Sequence, residues 1–237
     1  MKTQNLLFFF ACAIYFSWPM DAFSQTRLIL NGATITIRNN ASMVINNPNT
    51  NAITRLNGHI ISEGENNNIK WCIGTSTGTY IVPLAYQTSD YIPITFTKTA
   101  GTGNGNFIFS SYHTSWNNSA YLPTGVLNVS YNGVDNSPYT IDRFWKIDAA
   151  NYTIKPALSN LIFTYIDNEH TALGNFITES ELGAQRWNST INDWGDFIPG
   201  VDITILTNKI MVATVNPADL YKWWTLPGLN GSHALPV

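Results

Sequence analysis

Charged residues are scarce in this chain: 11% of its 237 positions are Asp, Glu, Lys or Arg, while 44% are hydrophobic and 13% aromatic. A helical protein needs charged residues along its outer faces, so a mostly helical fold is excluded. Intrinsic disorder is excluded too, because so many aromatic side chains drive burial. Basic clusters are missing. Lys and Arg occur singly and the formal net charge is −3, which leaves no footprint to neutralise a phosphate backbone or an anionic membrane surface. There are two cysteines, Cys12 and Cys72. Zinc sites need several Cys or His at ligand spacing, and the four histidines (His59, His113, His170, His233) form no HExxH or i, i+4 pair. No GxSxG elbow and no Walker sequence occur. GTGNGN at 101–106 lacks the Lys and the following helix of a phosphate loop, and reads as a hairpin tip.

Asn, Thr, Ser and Gly fill the polar positions instead. These residues disfavour helix interiors and favour turns and solvated strand faces. The N-terminus has the order of an export signal: Lys2, the apolar run LLFFFACAIYFSW at 6–18, the breaker Pro19, and small residues at Ala22 and Ser24. Removal of residues 1–24 before Gln25 is predicted, and the run is too short for a permanent span of ~30 Å of hydrocarbon. Phe9-Phe10-Ala11 before Cys12 lacks the Leu of a lipobox, which argues against lipidation. With the signal gone Cys72 stands alone, so no intrachain disulfide can form, and beside Trp71 it reads as a small core residue. No other apolar run is long enough to cross a membrane.

Residues 25–75 read as short stacked strands. LNGATITI at 30–37 and LNGHIISE at 56–63 repeat after 26 residues, a stacked-coil spacing, although a meander has the same pattern. Both copies carry Asn-Gly, which supplies positive φ for a tight turn. Residues 76–226 read as an antiparallel β-sandwich with strands at 79–82, 92–97, 106–111, 126–131, 144–148, 160–165, 203–207 and 210–215. IPITFT and LIFTY alternate apolar with polar residues, one face in the core and one in water. Asn208 reads as the turn of a hairpin. Thr178 and Glu181 have capping-box spacing, and Pro217 sits where a first helical residue would. Residues 227–237 have linker composition. The expected class is therefore all-β, a short stacked region followed by a sandwich.

Three groups of segments resemble the β-rich N-terminal modules of secreted and cell-surface proteins of the Bacteroidetes group, of the type IX (gliding-associated) export type. They are WCIG at 71–74 with GTYIVPL at 78–84 and IPITF at 92–96; YLPTG at 121–125 with DRFWKID at 142–148; and LIFTY at 161–165 with ESEL at 179–182, AQRWN at 184–188 and WWTL at 223–226. The resemblance implies a non-catalytic module, and it implies no catalytic residues. In that family a Leu-Pro-Ile/Val element opens a following Ig-like domain. Leu235-Pro236-Val237 matches that opening, with no C-terminal sorting domain after it. Linkage to further β domains is the corresponding expectation.

Three candidate sites remain. Trp116, Trp187 and Trp194 lie in Asn- and Asp-rich loops, where indoles can stack on sugars. Asp167, Glu169 and Glu179 are close enough in sequence to hold a structural Ca²⁺ by oxygen ligands, although the spacing is not an EF-hand's. Arg143 and Arg186 are candidates for structural ion pairs with carboxylates at the sheet margin. The leading expectation is an exported structural and adhesion module, secreted or on the outer cell surface, meeting glycans or other surface proteins. A carbohydrate-binding module is second and an exported hydrolase third.

Overall fold

The computed structural model describes residues 27–131, 133–202 and 208–228. The predicted signal (1–24), the predicted strand at 203–207 and residues 229–237 lie outside them. The 26-residue repeat is a parallel ladder. β1 (Leu28–Leu30), β2 (Thr34–Thr36) and β3 (Ser42–Ile45) make one coil, and β4 (Ile53–Arg55), β5 (His59–Ile61) and β6 (Asn68–Trp71) make the next. They pair β1 on β4, β2 on β5 and β3 on β6, each partner 25 or 26 residues on. The two Asn-Gly turns differ in cause. Gly32 has φ +70°, the left-handed conformation that favours glycine. Gly58 is not left-handed; it is needed for space, since a Cβ there would lie 2.3 Å from the Ala33 carbonyl oxygen in the coil beneath.

Past the coils come β7 (Gly78–Val82), β8 (Leu84–Ala85), β9 (Ile94–Lys98) and β10 (Asn106–His113), then β11 (Ser130–Tyr131) and β12 (Val134–Asp135). Next are β13 (Arg143–Ala150), β14 (Leu158–Thr164), the single-turn helix α1 (Asn168–Thr171), β15 (Gly183–Asn188), β16 (Asp193–Trp194) and β17 (Ile198–Pro199). The last are β18 (Val201–Asp202), β19 (Lys209–Val215) and β20 (Trp223–Thr225). Two sheets face each other. One runs β16-β15-β20-β13-β10-β6-β3 and the other β18-β19-β14-β9-β7. The coils are therefore not set apart: β6 pairs parallel with β3 on one side and antiparallel with β10 on the other. β8 adds a third rung on β5.

The core between the sheets is aromatic, including Trp71, Tyr80, Phe96, Phe107, Phe109, Trp145, Phe163 and Trp224, and it runs without a break into Leu30, Ile53 and Ile60 of the coils. Strict alternation builds it. In β9, Ile94, Phe96 and Lys98 are buried while Thr95 and Thr97 are half-buried. A second cluster, Phe144, Trp187, Trp194 and Trp223, lies apart from the first and is packed with Val126 and Val129. Residues 126–131 thus do not form the long strand expected of them. They cover a sheet face, and only Ser130–Tyr131 pairs, with Val134–Asp135. Trp223–Thr225, read in sequence as an aromatic cluster before a linker, is a strand between β13 and β15. Pro227 and Gly228, placed in the tail, still bridge to Thr140 and Leu182. Thr178 does not close a capping box; its side chain makes no cap bond, and Glu179–Glu181 is a 3₁₀ turn. Pro217–Asp219 is a 3₁₀ turn with Pro at its start. Among the described residues, no helix is long and apolar enough to cross a membrane.

Candidate functional site

The largest concentration of buried charge lies where the second coil meets the sandwich. Arg143, the first residue of β13, is wholly buried. Its Nε donates to Glu169 Oε1 at 2.7 Å, and its Nη2 lies 2.6 Å from the same oxygen. Its Nη1 donates to Glu63 Oε1 at 2.7 Å and to Ser111 Oγ at 3.0 Å. The Tyr86 ring lies 5.7 Å from the guanidinium, within reach of a cation–π contact. Both carboxylates have second partners. Glu63 Oε2 accepts from the His113 backbone N–H at 2.8 Å, and Glu169 Oε2 from that of Ile166 at 3.1 Å. Burial alone would make the guanidinium easier to deprotonate, but the two carboxylates more than reverse this and hold its pKa above the usual value. Arg143 thus ties together the loop after β5, the strand β10 and the helix α1.

Asp142 adjoins this cluster and is also wholly buried. Its Oδ2 accepts from Asn175 Nδ2 at 2.9 Å, and its Oδ1 has no partner among the described residues. Burial raises its pKa to about 7; the Asn175 hydrogen bond opposes the rise and nearby Glu169 adds to it. A carboxyl there is most comfortable with its proton. Beside Glu63 opens a cleft of about 390 Å³ lined by Glu63, Gly64, Glu65, Tyr112, His113, Tyr121 and Leu122. His113 Nδ1 accepts from the Ser115 N–H at 3.1 Å, so its proton sits on Nε2. Burial and Arg143 lower its pKa and favour the neutral ring. Both carboxylates at this cleft have hydrogen-bond partners. Here Glu63 has both oxygens engaged, and Glu65 Oε2 accepts from the Thr124 hydroxyl at 3.1 Å.

No family model, curated protein or solved structure matches this chain. The chain's own geometry therefore carries the reading of each residue singled out in sequence. The tryptophans divide. Trp187 and Trp194 are 3% and 0% exposed, packed edge to face with ring centroids 5.5 Å apart. The loop composition around them suggested a sugar platform, and that expectation is corrected: both indoles belong to the second core, with Trp194 Nε1 donating to the Asn128 carbonyl at 3.0 Å. Trp116 is 54% exposed.

The three carboxylates considered for Ca²⁺ do not converge, which corrects that expectation. Glu169 is taken by Arg143. Glu179 Oε1 accepts from the Tyr165 hydroxyl at 2.6 Å, and its Oε2 lies 3.6 Å from His170 Nε2. Asp167 Oδ1 accepts from Asn208 Nδ2 at 2.6 Å. Among the described residues no group of three His, Cys, Asp or Glu is placed to hold a metal. Arg186, in β15, pairs with Asp219 at 3.0 Å and also donates to the carbonyls of Asp219 and Asp196. Arg143 was expected to pair with carboxylates at the sheet margin. Its partners come from 80 residues before it and 26 after. Sequence gave no signal for Glu63, which sits in a strand-turn segment of ordinary composition.

Proposed function

We propose that this chain is an exported, non-catalytic module of a bacterial envelope protein, giving structural support and adhesive contact at the cell surface. The observation behind the structural-support part of this reading is the Arg143 crosslink. The wholly buried Arg143 and Glu169, with the partly exposed Glu63, join a stacked coil, a central strand and a single-turn helix. Such a group resists local opening, because separating it would leave bare charges in a dry environment. The apolar run after Lys2, with small residues at Ala22 and Ser24, supports export. The resemblance to Bacteroidetes surface modules supports the address.

The test is protease shaving of intact cells of the source organism, followed by fractionation and detection with an antibody. The protein is expected in the shaved or secreted fraction, beginning at Gln25. Detection in the cytoplasm alone, with residues 1–24 retained, would refute the reading.

A further inference from the structure

We infer that Trp116 is a stacking platform for a neutral saccharide chain, a proposal that rests on the adhesive reading and names its ligand. The turn that carries the indole is tied down although the residue stands half in water. Ser115 before it adopts φ +54°, a conformation that costs a non-glycine residue energy and persists only where its surroundings enforce it. The enforcement is visible. The Thr114 N–H donates to the Asp142 carbonyl at 3.0 Å and the Ser115 N–H to His113 Nδ1 at 3.1 Å. Asn118, wholly buried, donates to the carbonyls of Thr140 and Ile141 at 3.1 and 3.2 Å and accepts from the Thr114 hydroxyl. A buried polar network therefore fixes a turn whose outward product is one large aromatic ring.

One face of that ring is already backed. A Cβ at Gly174 would lie 3.4 Å from Trp116 Cδ2 and 3.5 Å from Cε3 and Cγ. Cδ2 is the middle of those three atoms and also the nearest, which requires approach onto the ring face and not its edge. Gly174 has φ +106°, so a side chain there is disfavoured by conformation as well as by contact. Trp116 is 54% exposed, so much of the side chain is open to solvent. Phe176, 69% exposed and 6.0 Å from the Tyr139 ring, offers a second aromatic surface two residues beyond Gly174. Exposed aromatic rings suit a chain of sugar rings, whose C–H faces stack on aromatics while their hydroxyls meet polar neighbours.

Charge selects among ligands. The segments 114–142 and 166–185, which build this end of the molecule, contain no Lys or Arg but include Asp135, Asp167, Glu179 and Glu181. Anionic lipids, nucleic acids and acidic glycans are disfavoured there. Asn117, next to Trp116 in the chain, carries an amide that can donate to and accept from sugar hydroxyls. Because the turn that carries the ring is tied down before the ligand arrives, less ordering entropy opposes binding.

The experiment is affinity electrophoresis of the purified chain through native gels containing a mixed-linkage β-glucan, a xylan or a galactomannan, with a neutral-glycan array beside it. At least one neutral glycan should retard the wild type. Trp116→Ala should weaken that binding by about 30-fold or more, as loss of a dominant aromatic contact does, with an unchanged melting curve. Trp116→Phe keeps a ring and should keep part of the retardation; it also carries the test if the alanine variant fails to fold. Absence of binding to every neutral glycan overturns the proposal, and so does binding that survives Trp116→Ala. Trp116-dependent binding to phosphatidylcholine vesicles without glycan binding overturns it in favour of a membrane contact. The shaving experiment reads location alone, so either proposal can fail while the other stands.

Discussion

The stacked coils and the sandwich use the same strand chemistry to different depths. In β1 to β3 most side chains are exposed or half-buried, whereas β13 buries its first five residues in succession. The coils are thin aliphatic rungs, and the sandwich has a double aromatic core. A two-coil stack of this size could not bury enough apolar surface to stand alone. It persists because β6 continues the large sheet and because Trp71 reaches into both regions: its Nε1 donates to the Asn47 carbonyl at 2.8 Å, and its ring meets Tyr80 edge-on at 5.1 Å. The weaker region is stabilised by being an extension of the stronger.

The sharpest way to break this relationship is Arg143→Met. It leaves Glu63 and Glu169 without their cation, and a loss of about 3–5 kcal/mol is expected in urea denaturation. Combining it with Glu169→Gln should recover part of that loss. A smaller effect, about 1–3 kcal/mol, is expected for Gly58→Ala, which forces a methyl against the Ala33 carbonyl and spreads the coils. Because the core is continuous, far-ultraviolet circular dichroism and tryptophan fluorescence should still report one shared transition. An early transition seen by one probe only would show that the coils unfold by themselves. Asp142→Asn is read in the pH dependence of stability and not at a single pH. Its folded pKa is raised from 3.8 to about 7, so the folded chain binds a proton across that window that the unfolded chain has lost. The group's stabilising contribution is complete below about pH 4 and declines as pH rises through 7. The variant should therefore gain on the wild type between pH 5 and pH 8, read as a relative rise in urea midpoint. A constant difference across that range would refute a buried, protonated Asp142.

The coil ladder was legible because LNG recurs at a spacing one coil long, and β9 and β14 because IPITFT and LIFTY alternate. The all-β class followed from the same features. What escaped has a physical pattern. Residues 126–131 are apolar enough for a strand but spend Val126 and Val129 covering a sheet. Trp187 and Trp194 look like loop residues among Asn and Asp, yet a second core lies beneath that composition. Their burial is fixed by Phe144 and Trp223, which are distant in sequence on either side. The Arg143 site was half legible: the arginine was read as an ion-pair residue, but Glu63 comes from 80 residues earlier and nothing local marks it. Short-range pattern reports which way a side chain faces. It does not report what meets that side chain there.

β20 holds a further consequence. Trp223–Thr225 lies between β13 and β15, bonded to both. During synthesis from the N-terminus, the sheet must wait with a gap in its middle. β15 and β16 have no route to the rest of the sheet until almost the last described residues emerge. Completion of this molecule is thus a single late event. A ribosome stall or premature stop shortly before residue 223 would release not a slightly shorter protein but one with two raw strand edges and the seat of Trp224 vacant in the core, a form primed for proteolysis or for pairing with its neighbours.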